Sequence, residues 1–349
     1  MRTHLTKCHR NIDFALPRRA FALLLLGMCS SLAFALGPGE LFIANYNANS
    51  VTVYSRTASG AAVATRTIRT GLTNPFGVLV DPLHGEIFVA NNTNGSARVG
   101  SIQVYDLNAN YPADAPKRTI AGSATNLFAC TGLALDLLRQ ELYVANDDTS
   151  TISVFSRTAN GNVAPSRSIT GSATSLDGPV GLSFDLLHSE IIVVNKVLYT
   201  GGSGSITVYP SESNGNVSPI RSIGGTLTGF NLPIGIDLDL FHDEIVVANA
   251  NVNSVLAFNR TDNGNVAPKR TLSGAGTGLC MPFGVLDDIV NDQLVVANSG
   301  FQAAGCDQGT TVYPRTANGN VTPVRTLNMG PAGGPPNPVG LSQTLLSAH

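Results

Sequence analysis

Asn74-Pro75-Phe76-Gly77-Val78-Leu79-Val80-Asp81 is followed by Glu86-Ile87-Phe88-Val89-Ala90-Asn91, then by Ser101-Ile102-Gln103-Val104-Tyr105, then by Pro116-Lys117-Arg118-Thr119-Ile120. Each run is short, rich in Val, Ile and aromatic residues, and bounded by Gly, Pro or Asn. That makes four strands with turns between them, since none is long enough for a helix. The same grammar recurs along the chain. Its opening glycines are Gly77, Gly132, Gly181, Gly235, Gly284 and Gly340, and its second runs end at Asn45, Asn91, Asn146, Asn195, Asn249 and Asn298. Four strands repeated at a period of roughly fifty residues predict the blades of a β-propeller. The first and last fragments fit this reading. Glu40 to Asn45 is a second strand lacking its first, and Val339 to Thr344 is a first strand lacking its followers. Together they predict an all-β, six-bladed propeller of four antiparallel strands per blade, closed by the C-terminal strand pairing with the N-terminal blade.

Residues 1–35 read as an address. Arg2, Lys7, Arg10, Arg18 and Arg19 precede the apolar stretch Ala20 to Met28, and Ala33-Phe34-Ala35 forms a small-residue exit. This is the pattern of a secretory signal peptide cleaved after Ala35. The apolar stretch is too short to span a bilayer, so no membrane span is expected in the mature chain. Arg18-Arg19-Ala20-Phe21 also matches the core of a twin-arginine signal, a second route of export beside the favoured general one. The expected destination is periplasmic or extracellular. Residues 36–349 then form a single propeller domain, expected to be a monomer.

The whole chain has 21 Lys and Arg against 23 Asp and Glu in 349 residues. Removing the five basic residues named above and Asp13 leaves 16 against 22, a net charge of −6. A charged content of 13% is low for a globular protein, and 43% apolar residues argue against intrinsic disorder. An acidic chain without basic clusters is a poor partner for nucleic acid.

The pattern Pro-x-Gly-[Ile/Val]-x-x-Asp, then [Ile/Leu]-x-Val-Ala-Asn, then x-[Ile/Val]-x-Val-[Tyr/Phe], resembles the NHL-repeat six-bladed propellers. It is similar also to the wider group of gluconolactonase-type and YncE-type propellers. The NHL pattern has Asp where this chain ends its second strand in Asn. The resemblance implies the fold and leaves function open, because the fold carries binding modules, lactonases and lyases alike. Enzymes of the gluconolactonase type would present a Glu, two Asn and an Asp at the channel mouth. That set does not map here, since Glu40 already belongs to a repeating Glu series.

Residues repeated in every blade read as structure. Arg66, Arg118, Arg167, Arg221, Arg270 and Arg325 recur with Asp81, Asp136, Asp185, Asp239 and Asp288 and with Glu86, Glu141, Glu190 and Glu244. These predict salt bridges within or between blades. The strand-ending asparagines are expected to hydrogen-bond their turns and to accept unusual backbone angles. Asn160-Gly161-Asn162 and its three later copies are expected to be hairpin turns. His84, His188 and His242 lack the pair spacing of zinc motifs and read as exposed turn residues.

Residues that break the symmetry carry the functional expectation. The connections from second to third strand alternate long and short, which predicts three raised loops on one rim of the channel, here the upper rim. Loops vary and bind on a rigid scaffold. Lys196 and Tyr199 on one loop and Phe301, Gln302 and Asp307 on another are therefore the candidate ligand-binding residues. The favoured function is a non-catalytic binding or scaffold protein recognising a protein or small molecule, with no cofactor. The alternative is a metal-dependent, lactonase-like hydrolase or lyase. In that reading Asp237 and Asp287, polar where other first strands are apolar, would supply oxygen ligands to a divalent cation in the channel. Of the cysteines left after cleavage, Cys280 and Cys306 fall on the upper rim of one blade and are expected to form a disulfide. Cys130, across the ring, is out of reach of Cys280.

Overall fold

The computed structural model describes residues 39–93, 99–197, 203–300, 307–331 and 338–343. Six four-stranded antiparallel sheets make six blades. Blade 1 joins β24 (Pro338–Gln343) to β1 (Glu40–Asn45), β2 (Ser50–Ser55) and β3 (Arg66–Ile68). Blade 2 comprises β4 (Pro75–Asp81), β5 (Glu86–Asn91), β6 (Ser101–Asp106) and β7 (Arg118–Ile120). Blade 3 comprises β8 (Cys130–Asp136), β9 (Glu141–Asn146), β10 (Thr151–Ser156) and β11 (Arg167–Ile169). Blade 4 comprises β12 (Pro179–Asp185), β13 (Glu190–Asn195), β14 (Ser205–Pro210) and β15 (Arg221–Gly224). Blade 5 comprises β16 (Pro233–Asp239), β17 (Glu244–Asn249), β18 (Ser254–Asn259) and β19 (Arg270–Ser273). Blade 6 comprises β20 (Pro282–Asp288), β21 (Gln293–Asn298), β22 (Asp307–Pro314) and β23 (Arg325–Pro331). Leu41 pairs with Gln343 and Ile43 with Leu341, so the ends of the described chain close the ring as the sequence predicts.

The second strands show why apolar runs replace simple alternation. Every residue of β5 and of β17 is buried, because each blade packs a neighbour on both faces. The inner strands β24, β4, β8, β12, β16 and β20 follow one another around a central channel. Connections into each blade, and from second to third strand, lie on the upper rim; first-to-second turns and third-to-fourth loops lie on the lower.

The strand-ending asparagines act as brackets, not as strained turn residues. None of the six takes a positive φ, and all are buried. Asn195 Oδ1 accepts the Asp177 backbone N–H at 3.2 Å, and its Nδ2 donates to the Thr207 hydroxyl at 3.0 Å. Asn146 treats Phe128 and Ser153 in the same way, and Asn298 treats Cys280 and Thr311. A backbone N–H can only donate, so the atom facing it must be the amide oxygen, which aims the nitrogen at the third strand. Aspartate lacks that donor and would bury a charge. Replacing Asn195 by Leu should leave the Asp177 N–H without its acceptor and cost about 2 kcal/mol in urea denaturation. A loss below about 0.5 kcal/mol would refute the bracket, being no more than an ordinary surface change.

The Asn-Gly-Asn segments are not hairpin turns. Each sits in a long connection that leaves its own blade and clasps the preceding one. Gly161 forms a parallel bridge with Ile120, donating to Thr119 O at 2.7 Å. Asn160 Oδ1 accepts the Thr119 N–H, and Asn162 Oδ1 accepts the Ala124 N–H. Gly215, Gly264 and Gly319 repeat the clasp, and Gly60 carries blade 1 onto Leu327 of blade 6. The physical reason is the outer strand: its exposed edge would otherwise keep unpaired backbone groups, and the clasp covers them.

Candidate functional site

The repeated charges are used up by the fold. Arg118 holds Glu86 through two hydrogen bonds of 2.6 and 3.0 Å, and Arg221 holds Glu190 likewise. A second arginine series, not singled out in the sequence, ties blade to blade. Arg157 reaches Glu86 at 2.7 Å, Arg260 reaches Asp185 at 3.4 Å, Arg315 reaches Asp239 at 3.5 Å and Arg56 reaches Asp288 at 3.3 Å. Each follows a third strand directly, and that shared position was the available signal. Burial alone would raise Glu244, but hydrogen bonds from Arg270 and Lys269 overcome it and hold its carboxyl down at about 2. His84, His188 and His242 are exposed, and each places Nδ1 against the aspartate three residues before it, at 2.7, 2.8 and 2.6 Å. Among the described residues, no group of three or more His, Cys, Asp and Glu is arranged to hold a metal ion.

The upper rim is built by interlocking turns. Asn49 Oδ1 accepts the Asn74 N–H at 2.7 Å, and Asn253 Oδ1 accepts the Met281 N–H at 2.7 Å, so each short turn caps the connection that follows it. The residue before each of β4, β8, β12, β16 and β20 is left-handed. Asn74 and Gly178 tolerate this conformation, whereas Leu232 (φ 58°) and Met281 (φ 48°) hold it with bulky apolar side chains. Tyr46 meets Phe76 edge-on with centroids 6.3 Å apart, and Phe76 meets Phe283 at the same separation. These rings belong to blades 1, 2 and 6 and draw together over the upper channel. Beneath them lies a cavity of about 90 Å³ lined by Phe76, Val180, Ile234, Phe283, Val339 and the inner-strand glycines. The aromatic cover went unread in the sequence, because nothing local shows that Phe76 and Phe283 meet across an intervening blade.

Two of the five candidate rim residues lie in the described structure. Lys196 forms an ion pair with Asp147 across the seam between blades 4 and 3. Asp307 is exposed at the start of β22, opposite Pro331. Tyr199, Phe301 and Gln302 lie outside the described residues, as does Cys306. Cys280 is disulfide-bonded, whereas Cys130 is a free, buried thiol whose pKa is raised by burial.

The candidate channel carboxylates sit low in the ring. Asp237 lines a second cavity of about 100 Å³, on the lower side, walled by Val78, Leu133, Leu182, Ile236, Val285 and Leu341 among others. Its Oδ2 accepts the Asp287 N–H at 2.7 Å, and its Oδ1 accepts the Leu238 N–H at 2.9 Å. The Asp287 side chain faces blade 5, within hydrogen-bonding reach of Asp239. Burial first, and the carboxylates of Asp237 and Asp239 next, push its pKa up to about 9 against the pull of Arg315. A neutral acid hydrogen-bonded to a carboxylate closes a seam; it is not the charged oxygen donor that a hard cation takes.

No protein-family model and no curated protein matches the chain. Solved structures do share its architecture. One is the crystal structure of a nidogen/laminin complex, with a TM-score of 0.60 at 12% identity over 88% of this chain and 98% of that one. At that identity the likeness is one of fold alone.

Proposed function

We propose that this protein is an exported, non-catalytic binding module of the NHL/YncE kind that recognises a protein or small-molecule ligand with its upper rim. One contrast supports the reading. The repeated titratable groups are engaged in holding blades together, while the upper rim presents partly exposed aromatics, left-handed apolar residues and loops that differ from blade to blade. Lys196, Tyr199, Phe301, Gln302 and Asp307 are the proposed contacts, and a Cys280–Cys306 disulfide would pin the loop that carries three of them. The nidogen/laminin structure is itself a complex of two proteins, which is compatible with a binding role for such a ring.

The test pairs two sets of substitutions. Phe301→Ala with Gln302→Ala on the upper rim, and Leu83→Ser with Phe241→Ser on the lower, are each compared with the parent chain in cross-linking to extracellular material. Loss of the captured species with the upper set alone is the expected result; loss with the lower set alone would overturn the assignment. Export is checked on the same material: the secreted chain should begin at Leu36, and peptide mapping without reduction should recover Cys280 joined to Cys306.

A further inference from the structure

The lower cavity has a composition that the fold does not require. Its wall is largely aliphatic, with Phe184 and the His84-paired Asp81 also on it, and it lies at the opposite end of the channel from the proposed binding rim. Three polar side chains interrupt it at one level, two residues after the inner-strand glycine: Ser183 in blade 4, Asp237 in blade 5 and Ser342 in blade 1. Blades 2, 3 and 6 place Leu79, Ala134 and Leu286 there. Ser342 is committed, since its hydroxyl accepts the Val80 N–H at 3.1 Å. Ser183 is not. It is only 4% exposed, and its Oγ has no hydrogen-bond partner among the described residues. A buried hydroxyl facing an apolar cavity without a partner is costly, and it points to a polar group that the cavity receives.

Charge narrows what that group is. Asp237, in the neighbouring blade and also 4% exposed, brings a carboxyl to the same wall, and Asp239 and Asp287 stand behind it. A protonated amine entering the cavity would bring N–H groups that meet both the Asp237 carboxylate and the Ser183 oxygen. The aliphatic remainder of the wall suits an alkyl body, and the volume admits roughly four or five heavy atoms.

We propose that the lower cavity is a binding site for a small alkylammonium ion, with Asp237 as counter-charge, Ser183 as hydrogen-bond acceptor and Val78, Leu133, Leu182 and Leu341 around the alkyl chain.

Isothermal titration of the full chain with n-propylammonium chloride, and separately with n-propanol and sodium chloride, tests this directly. Propylammonium should bind with one-site stoichiometry and propanol at least tenfold more weakly, while sodium chloride gives no saturable heat. Asp237→Ser, which installs the residue that blades 1 and 4 already carry at this level, should weaken propylammonium at least tenfold. Ser183→Ala, a milder change that keeps the fold independent of the charge, should weaken it about threefold to tenfold. Equal affinity for propanol, saturable binding of sodium, or undiminished binding by both variants would each overturn the proposal, as would no binding at all. Upper-rim substitutions should leave this titration unchanged, so failure here and failure of the rim assignment are separable.

Discussion

Asp287→Asn should make the protein more stable at pH 8, by several kcal/mol, and should make almost no difference at pH 4. Asp287 is 2% exposed and lies in the seam between blades 5 and 6, facing Asp237 and Asp239 of β16, with Arg315 beyond. Its folded pKa is raised from the ordinary 3.8 to about 9. Below about pH 4 the carboxyl is protonated in both folded and unfolded chains, and its hydrogen bond contributes fully. As pH rises, the unfolded chain ionises first and gains stability relative to the folded one. The loss therefore accumulates between about 4 and 9 and levels off once the folded carboxyl ionises too. Asparagine keeps a donor for Asp239 and never titrates, so the variant escapes that decline. Glu244 works in the opposite sense at acid pH, with its depressed value near 2, and only the difference between parent and variant isolates the seam. Urea denaturation of both chains at pH 4, 6 and 8 is the measurement. A variant less stable than its parent at pH 8 would mean that Asp287 is an ionised structural partner.

How far the sequence could be read depends on what repeats. Strand number, blade number and ring closure were legible because the Gly, Asp and Asn positions recur in register, and the Arg–Glu pairing followed from the same recurrence. The Asn-Gly-Asn segments were misread. Local turn chemistry describes how such a peptide bends, but not that Gly161 leaves its own blade to pair with Ile120 of the one before. The strand-ending asparagines were assigned to turns for a related reason: their partners Asp177 and Thr207 lie eighteen residues before and twelve after Asn195, and only the folded blade brings both to one amide. At the channel, Asp237 and Asp287 were correctly noticed as odd. Their roles diverge because adjacent residues on a strand point to opposite faces, and Asp287 occupies the alternate position. What decides whether an odd carboxyl becomes a ligand donor or a neutral seam acid is the blade across from it, which is a long-range fact.

The glycines that revealed the repeat make the sharpest stability prediction, and for a reason that turn chemistry does not supply. A Cβ placed on Gly77 would lie 2.2 Å from the Thr131 carbonyl oxygen of the next blade, and one on Gly235 would lie 2.3 Å from that of Phe283. The same holds around the ring to Gly340, which faces the Phe76 carbonyl at 2.2 Å. These contacts are backbone against backbone, so neither side can yield without widening the channel and lifting neighbouring blades apart. Gly235→Ala should accordingly cost about 3 kcal/mol or more and expose apolar blade surface. Gly284 has more room, with its nearest oxygen at 2.9 Å, so Gly284→Ala should be the mildest of the set. Gly161→Ala supplies the control. Its φ is +77° and nothing lies within 4 Å of the added carbon, so it bears only the backbone penalty, about 1 kcal/mol. Denaturant midpoints for Gly161→Ala, Gly284→Ala and Gly235→Ala should fall in that order. If Gly235→Ala proved no worse than Gly161→Ala, the inner strands would not be in the close contact that closes the ring, and the channel would be wider than the two small cavities allow.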